Sequence, residues 1–161
     1  MGAHAAGDGA IEEAARYHLR SPGKLARPRI LLAMVSAVGL STPAAPHLAA
    51  ACELLHNASL VHDDIQDGDT TRRGQNSVWK QYGVDTALLV GDFFLAAAFR
   101  GVAEAPAAPE IKVAAIQKFA LAVQASAQGQ QQDLSGESLV FDSVDNYYRY
   151  ASSKTSPLLQ L

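Results

Sequence analysis

A chain of 161 residues with a formal charge of −3 can build one domain with a real core, and it lacks the basic excess that nucleic-acid binding demands. Hydrophobic residues make up 48%, alanine is abundant, β-branched residues are sparse, and apolar positions recur mostly at spacings of three and four, which predicts an all-α protein. Its single cysteine, Cys52, excludes an internal disulfide framework, suits a reducing cytosol, and reads as a small buried hydrophobe among alanines and leucines.

Residues 1–9 are small and flexible, without an apolar signal core. Met1-Gly2 opens a myristoylation pattern, but Ala6 stands where serine or threonine is needed. A first helix is predicted over 11–19, ending before Ser21-Pro22-Gly23. A second begins near Pro28 and ends at Gly39. Ser41-Thr42-Pro43 starts a long third helix over 44–66, closed by Gly68. A polar loop, 69–77, leads to a short helical piece at 78–82. The next helix spans 85–103; Pro106 and Pro109 separate it from another over 110–134. A last helix starts near Ser143 and continues past Lys154, where Pro157 kinks or resets it. No linker or repeat divides the chain, so 1–161 is expected to be a single domain. The most apolar stretch, 87–99, is interrupted by Asp92 and is too short to span a bilayer, so no membrane span and a cytoplasmic location are expected. Asp92 itself, a carboxylate in an apolar helix, calls for a nearby cation.

The third helix carries the chemistry. Asp63-Asp64-Ile65-Gln66-Asp67 closes it, and Arg72-Arg73 follow. Residues four apart differ by about 40° around a helix, so Asp63 and Asp67 share a face and can converge on one cation. One stripe reads His56, Ser59, Asp63, Asp67. Carboxylates oppose the partial negative charge of a helix C-terminus, and a divalent cation would compensate them. Magnesium suits the role because it takes few protein carboxylates and completes its shell with water and phosphate oxygens. The plainer alternative is a solvated acidic turn paired with Arg72 and Arg73.

The run from Glu53 through Asp63-Asp64-Ile65-Gln66-Asp67 to Arg72-Arg73-Gly74 resembles the first aspartate-rich motif of the trans-isoprenyl diphosphate synthases, the polyprenyl synthetase family. Gly23-Lys24-Leu25-Ala26-Arg27-Pro28 resembles that family's early basic motif. Gly91-Asp92, Gly129-Gln130-Gln131-Gln132-Asp133-Leu134, and Tyr147 with Lys154-Thr155 are similar to later segments in the same order. The resemblance implies the N-terminal portion of an isoprenoid synthase-type helical bundle and a magnesium-dependent prenyltransferase that condenses an allylic diphosphate with isopentenyl diphosphate. It implies that Asp63 and Asp67 hold magnesium, with Asp64 assisting or lying behind them. Arg72, Lys154 and Thr155 would contact the allylic diphosphate, while Lys24, Arg27, His56 and Arg73 would bind that of isopentenyl diphosphate. Gln130 and Asp133 would line the cavity or orient these groups.

Product length in this family is set just before the first aspartate, and small Ala58 and Ser59, with Leu55 a turn below, imply a product longer than farnesyl, geranylgeranyl diphosphate first. Asn76 departs from a proline frequent in the family and is expected to alter loop stiffness alone. No second Asp-Asp-x-x-Asp follows Lys154, and Leu158-Leu159-Gln160-Leu161 stops inside an apolar pattern. The expectation is therefore an N-terminal part whose facing wall is missing, inactive alone, with a complementary C-terminal half or a homodimer as partner. Competing readings are a class I terpene cyclase, which has no need of a second diphosphate site, and a non-catalytic partner that borrows the fold.

Overall fold

The computed structural model describes residues 9–21, 23–39, 42–135 and 143–145. Within them lie six helices and one small hairpin: α1 (Ala10–Leu19), α2 (Ala26–Ala37), α3 (Ala45–Gln66), β1 (Thr71–Arg72), β2 (Gln75–Asn76), α4 (Val78–Tyr82), α5 (Val84–Ala103) and α6 (Pro109–Leu134). The expected all-α architecture holds. Of the last predicted helix only 143–145 are described; Tyr147, Lys154, Thr155 and Pro157 lie outside the described residues.

Two boundaries differ from expectation for local reasons. Helix α2 starts at Ala26 because Leu25 takes a left-handed conformation, φ 50°, and turns the chain into it. Pro28 then falls in the first turn, where a missing N–H leaves no intrahelical bond unmade. The predicted polar loop folds into a hairpin with Arg72 opposite Gln75 and Thr71 opposite Asn76. Its two turn residues, Arg73 and Gly74, have φ of 53° and 81°, the double positive φ that matches a hairpin's twist. Asn76 is tied in as well: its carbonyl accepts from the Tyr17 hydroxyl, and its amide donates to Gln81 Oε1.

Helices α3 and α5 form the centre. One cluster joins Ala14 and Ala15 of α1, Ala58 and Val61 of α3, Val78 of α4, and Ala87, Val90 and Phe94 of α5. A second joins Ala51, Cys52 and Leu55 of α3, Ala98 and Val102 of α5, and Phe119 and Ala122 of α6. Alanines at the seam let the helix backbones approach closely, while Phe94 and Phe119 supply the larger apolar area. Cys52 is buried as expected, and burial pushes its thiol up. Helix α5 is longer than the apolar stretch suggested: its 20 residues are long and apolar enough to cross a membrane by length and composition. The buried seam Ala87, Val90, Phe94, Ala98 and Val102 accounts for much of that apolarity as core packing. Asp92 departs from its expectation: it points outward with its side chain 70% exposed, and water solvates it. Leu88, Leu89 and Phe93 of α5 and Ile111, Val113 and Leu121 of α6 are exposed too.

A buried polar link fastens α1 to α3. His18 Nε2–H donates to Asn57 Oδ1 at 3.0 Å, and Asn57 Nδ2 donates to the Glu53 carbonyl at 2.7 Å. Burial, reinforced by Arg73 and Arg72 and opposed by the Asn57 bond, lowers the His18 pKa to about 4. The folded state thus refuses a proton that the unfolded chain takes up near pH 6.5. The stability this neutral histidine confers is complete above pH 6.5 and is lost as pH falls toward 4. A loss on the order of 2–3 kcal/mol is expected from His18 over that window. Urea midpoints at pH 7.5, 6, 5 and 4 measure it; a flat series would contradict the neutral buried imidazole.

Candidate functional site

The end of α3 and the hairpin after it bring most of the predicted residues together. Asp67 caps α3, and its N–H bonds the Asp63 carbonyl at 2.8 Å, which sets the two aspartates one turn apart. Asp67 is exposed, while Asp63 lines a cavity. Asp64, on the opposite side, is fully buried. Arg72 reaches it from β1, donating from Nε at 2.7 Å and from Nη2 to the same Oδ1, and also meets Asp69 at 3.3 Å. Burial pushes the Asp64 carboxyl up and the Arg72 donors pull it back; Asp64, in turn, raises Arg72. Asp64 therefore acts on the site through Arg72, in keeping with a residue behind the metal pair.

Lys24, Arg27, His56 and Arg73 line one cavity of about 370 Å³, with Gly23, Leu25, Glu53 and Arg72. These come from the segment entering α2, from α3 and from the hairpin, so tertiary packing assembles them. Arg73 is aimed there by its left-handed turn conformation, and its Nη1 donates to the Ser21 carbonyl at 2.8 Å. Gly23 makes room: a Cβ there would lie 2.8 Å from Arg73 Nη2. Two non-glycine residues with positive φ, Leu25 and Arg73, thus line the same cavity, and such strained backbone gathers at functional sites. The His56 pKa falls to about 4, first through burial and then through Arg27, Arg73, His18 and Arg72, so its imidazole is neutral at pH 7. Its Nδ1 and Arg27 Nε are buried without a hydrogen-bond partner among the described residues. A pocket with this many donors and this much positive charge is built for an anion with several oxygens.

The predicted stripe on α3 divides. Ser59 and Asp63 face a second cavity of about 200 Å³, with Leu55, Ala58, His62 and Gln66 of α3, Leu95 of α5, and Val123, Ser126, Gln130 and Leu134 of α6. At about 100° per residue, Ser59 stands roughly 60° from His56, with Asp63 between them. The hairpin and α2 cover one flank of that arc, and α5 and α6 the other. The Ser59 hydroxyl folds back onto the His56 carbonyl at 2.8 Å, so the cavity keeps an apolar wall there. Arg72 also departs from its expected grouping: it lines the basic cavity with the isopentenyl set because Asp64 holds it there. Gln130 lines the apolar cavity as predicted, whereas Asp133 lies outside its lining. Asp69 as an Arg72 clamp, Gly23 as clearance for Arg73, and His62 in the apolar wall went unread. Gly23 carried a signal as a glycine between basic residues; the others depend on contacts distant in sequence.

The donor set fits magnesium. Asp63 and Asp67 stand one turn apart at a helix C-terminus, where a cation is favoured. Among the described residues no three His, Cys, Asp or Glu side chains gather into a closed cage. The ion bound here therefore draws further oxygens from water and ligand, as magnesium does.

The polyprenyl synthetase profile matches residues 8–161. The chain belongs to the polyprenyl synthetase family. It is 38% identical over 149 residues to the geranylgeranyl pyrophosphate synthase of Geoglobus acetivorans, an alignment covering 92% of this chain and 47% of the relative. Against the geranylgeranyl diphosphate synthase of Mycobacterium tuberculosis it is 37% identical, covering 86% of this chain and 39% of the relative. The crystal structure of geranylgeranyl pyrophosphate synthetase from Pyrococcus horikoshii superposes with a TM-score of 0.86 at 38% identity, covering 94% of this chain and 47% of that one. The family's isoprenoid synthase helical fold is therefore the fold of this chain, which spans about half the length of the curated relatives it matches.

Proposed function

We propose that this chain supplies the isopentenyl diphosphate pocket and one metal-bearing wall of a magnesium-dependent prenyltransferase, which condenses an allylic diphosphate with isopentenyl diphosphate into a longer trans-polyprenyl diphosphate. The observation that carries this is the basic cavity: Lys24, Arg27, His56 and Arg73 line one anion pocket, beside an apolar cavity that opens at Asp63. A terpene cyclase needs the aspartates and the apolar cavity but not a second anion pocket.

In this reading Asp63 and Asp67 hold magnesium, which supplies charge to stabilise the departing diphosphate of the allylic substrate. Lys24, Arg27 and Arg73 fix the diphosphate of isopentenyl diphosphate, and neutral His56 donates a hydrogen bond without adding charge. The apolar cavity excludes water from the allylic cation and receives the growing tail. Lys154 and Thr155 are proposed to reach the allylic diphosphate. Small Ala58 and Ser59 above Leu55, and relatives named as geranylgeranyl diphosphate synthases, support geranylgeranyl diphosphate as product. The half-length match supports a second wall contributed by another chain or copy, and the exposed apolar faces of α5 and α6 offer it a surface. Buried, free Cys52 suits a reducing cytoplasm.

Calorimetric titration of the purified chain tests this. Isopentenyl diphosphate is expected to bind, and Arg27→Ala or Arg73→Ala to weaken it roughly tenfold or more each, as loss of a charge-assisted contact should. Adding an allylic diphosphate and magnesium, with and without isopentenyl diphosphate, then separates the reactions. A product that forms without isopentenyl diphosphate would identify a cyclase.

A further inference from the structure

Glycine in the middle of a helix costs stability relative to alanine, so Gly91 at the centre of α5 calls for a reason. The reason is His62. A Cβ at position 91 would lie 2.0 Å from His62 Nε2, with two further ring atoms at 2.4 and 2.6 Å. The imidazole is seated where a side chain at 91 would be. Its Nε2–H donates to the Leu88 carbonyl at 3.3 Å, one turn back along α5, and Asp92 Oδ1 stands 3.9 Å away. The other glycine inside α5 behaves differently: a Cβ at Gly101 would meet Ala51 Cβ at 3.6 Å, an ordinary contact.

His62 also lines the apolar cavity, next to Asp63 and one turn above Ser59. It occupies the junction of α3 and α5 at the level where a tail leaves its diphosphate. We propose that the His62 ring, held against the bare backbone at Gly91, sets the width of the tail cavity at its mouth and so selects which prenyl tails pass. This rests on the reading of that cavity as the tail pocket. Any side chain at 91 must lift the ring off α5. The first cavity wall to give is the one the ring itself forms, and the mouth narrows while the aspartates below the diphosphate keep their places.

Stability is the first readout, because it needs no ligand. Gly101→Ala is expected to raise Tm by about 2–4 °C, the ordinary gain in a helix interior. Gly91→Ala is expected to lower Tm, and the same change in a His62→Ala background to raise it. The second readout is competition binding of dimethylallyl and farnesyl thiodiphosphates in magnesium. Wild type is expected to prefer the farnesyl compound. Gly91→Ala should cut farnesyl affinity at least tenfold with dimethylallyl affinity within twofold, and His62→Ala/Gly91→Ala should restore it. A Gly91→Ala chain that keeps the wild-type preference, or a double variant that fails to restore it, overturns the inference. If Gly91→Ala does not fold, the double variant alone decides: it must bind farnesyl at least as tightly as wild type. A wild type that binds both compounds equally would instead remove the tail-pocket reading, and this inference with it.

Discussion

Replacing Arg72 with alanine is expected to cost about 3 kcal/mol of folding stability at pH 7, the scale seen when one partner of a buried ion pair is removed. Asp64 is fully buried, and the two donors that satisfy its Oδ1 both come from Arg72. Without them a carboxylate is left in an apolar interior, and it responds by holding its proton. Already raised by burial, the Asp64 pKa then rises further. In the folded variant the group binds a proton that the unfolded chain releases near pH 4. Stability of Arg72→Ala relative to wild type therefore falls as pH rises above about 4 and recovers in acid, the opposite sign to the His18 effect. Urea unfolding of both proteins across pH 4 to 8 reads this directly. A penalty that is constant with pH would mean that Asp64 is not the group left behind. The Asp64→Leu/Arg72→Met double variant should lose less than the sum of its single changes, because the two residues act as one unit.

Ser59→Phe carries the second large effect. Ser59 faces the apolar cavity between α3 and α6, its hydroxyl already turned away onto the His56 carbonyl. A phenyl ring there fills space a tail would use, one turn below Asp63. Each methylene kept from burial forfeits about 0.8 kcal/mol. Excluding about four such groups corresponds to roughly 3 kcal/mol, or about a hundredfold in affinity. Farnesyl thiodiphosphate should therefore lose about two decades while dimethylallyl thiodiphosphate binds as before. In the assembled enzyme the same change should shorten the product. An unchanged preference by tail length would move the floor of the pocket elsewhere.

Both variants probe contacts with a different relation to sequence. Ser59 was legible: helix periodicity puts a small residue one turn before Asp63 whatever surrounds it. The Asp64–Arg72 pair was half legible. Both residues stood out, but Arg72 reaches back across the hairpin rather than joining an allylic group. His56 and Ser59 looked like one stripe and line two cavities, because neighbouring elements cover the two flanks of α3.

By itself the sequence determined the helices, through apolar spacing near 3.6 and proline and glycine punctuation, and it determined the pairing of Asp63 with Asp67, which needs only one helical turn. These are short-range properties, in which backbone geometry leaves little freedom. Tertiary structure decided which partner each functional side chain meets: Arg72 with Asp64, Arg73 over Gly23, His62 over Gly91. Helical period fixes the direction a side chain leaves its own helix, but not the element that waits there. Arg73 shows the limit most sharply. Its left-handed backbone runs against local preference and is held by the hairpin and by the Ser21 carbonyl, so the basic cavity at the end of α3 exists only once the chain has packed.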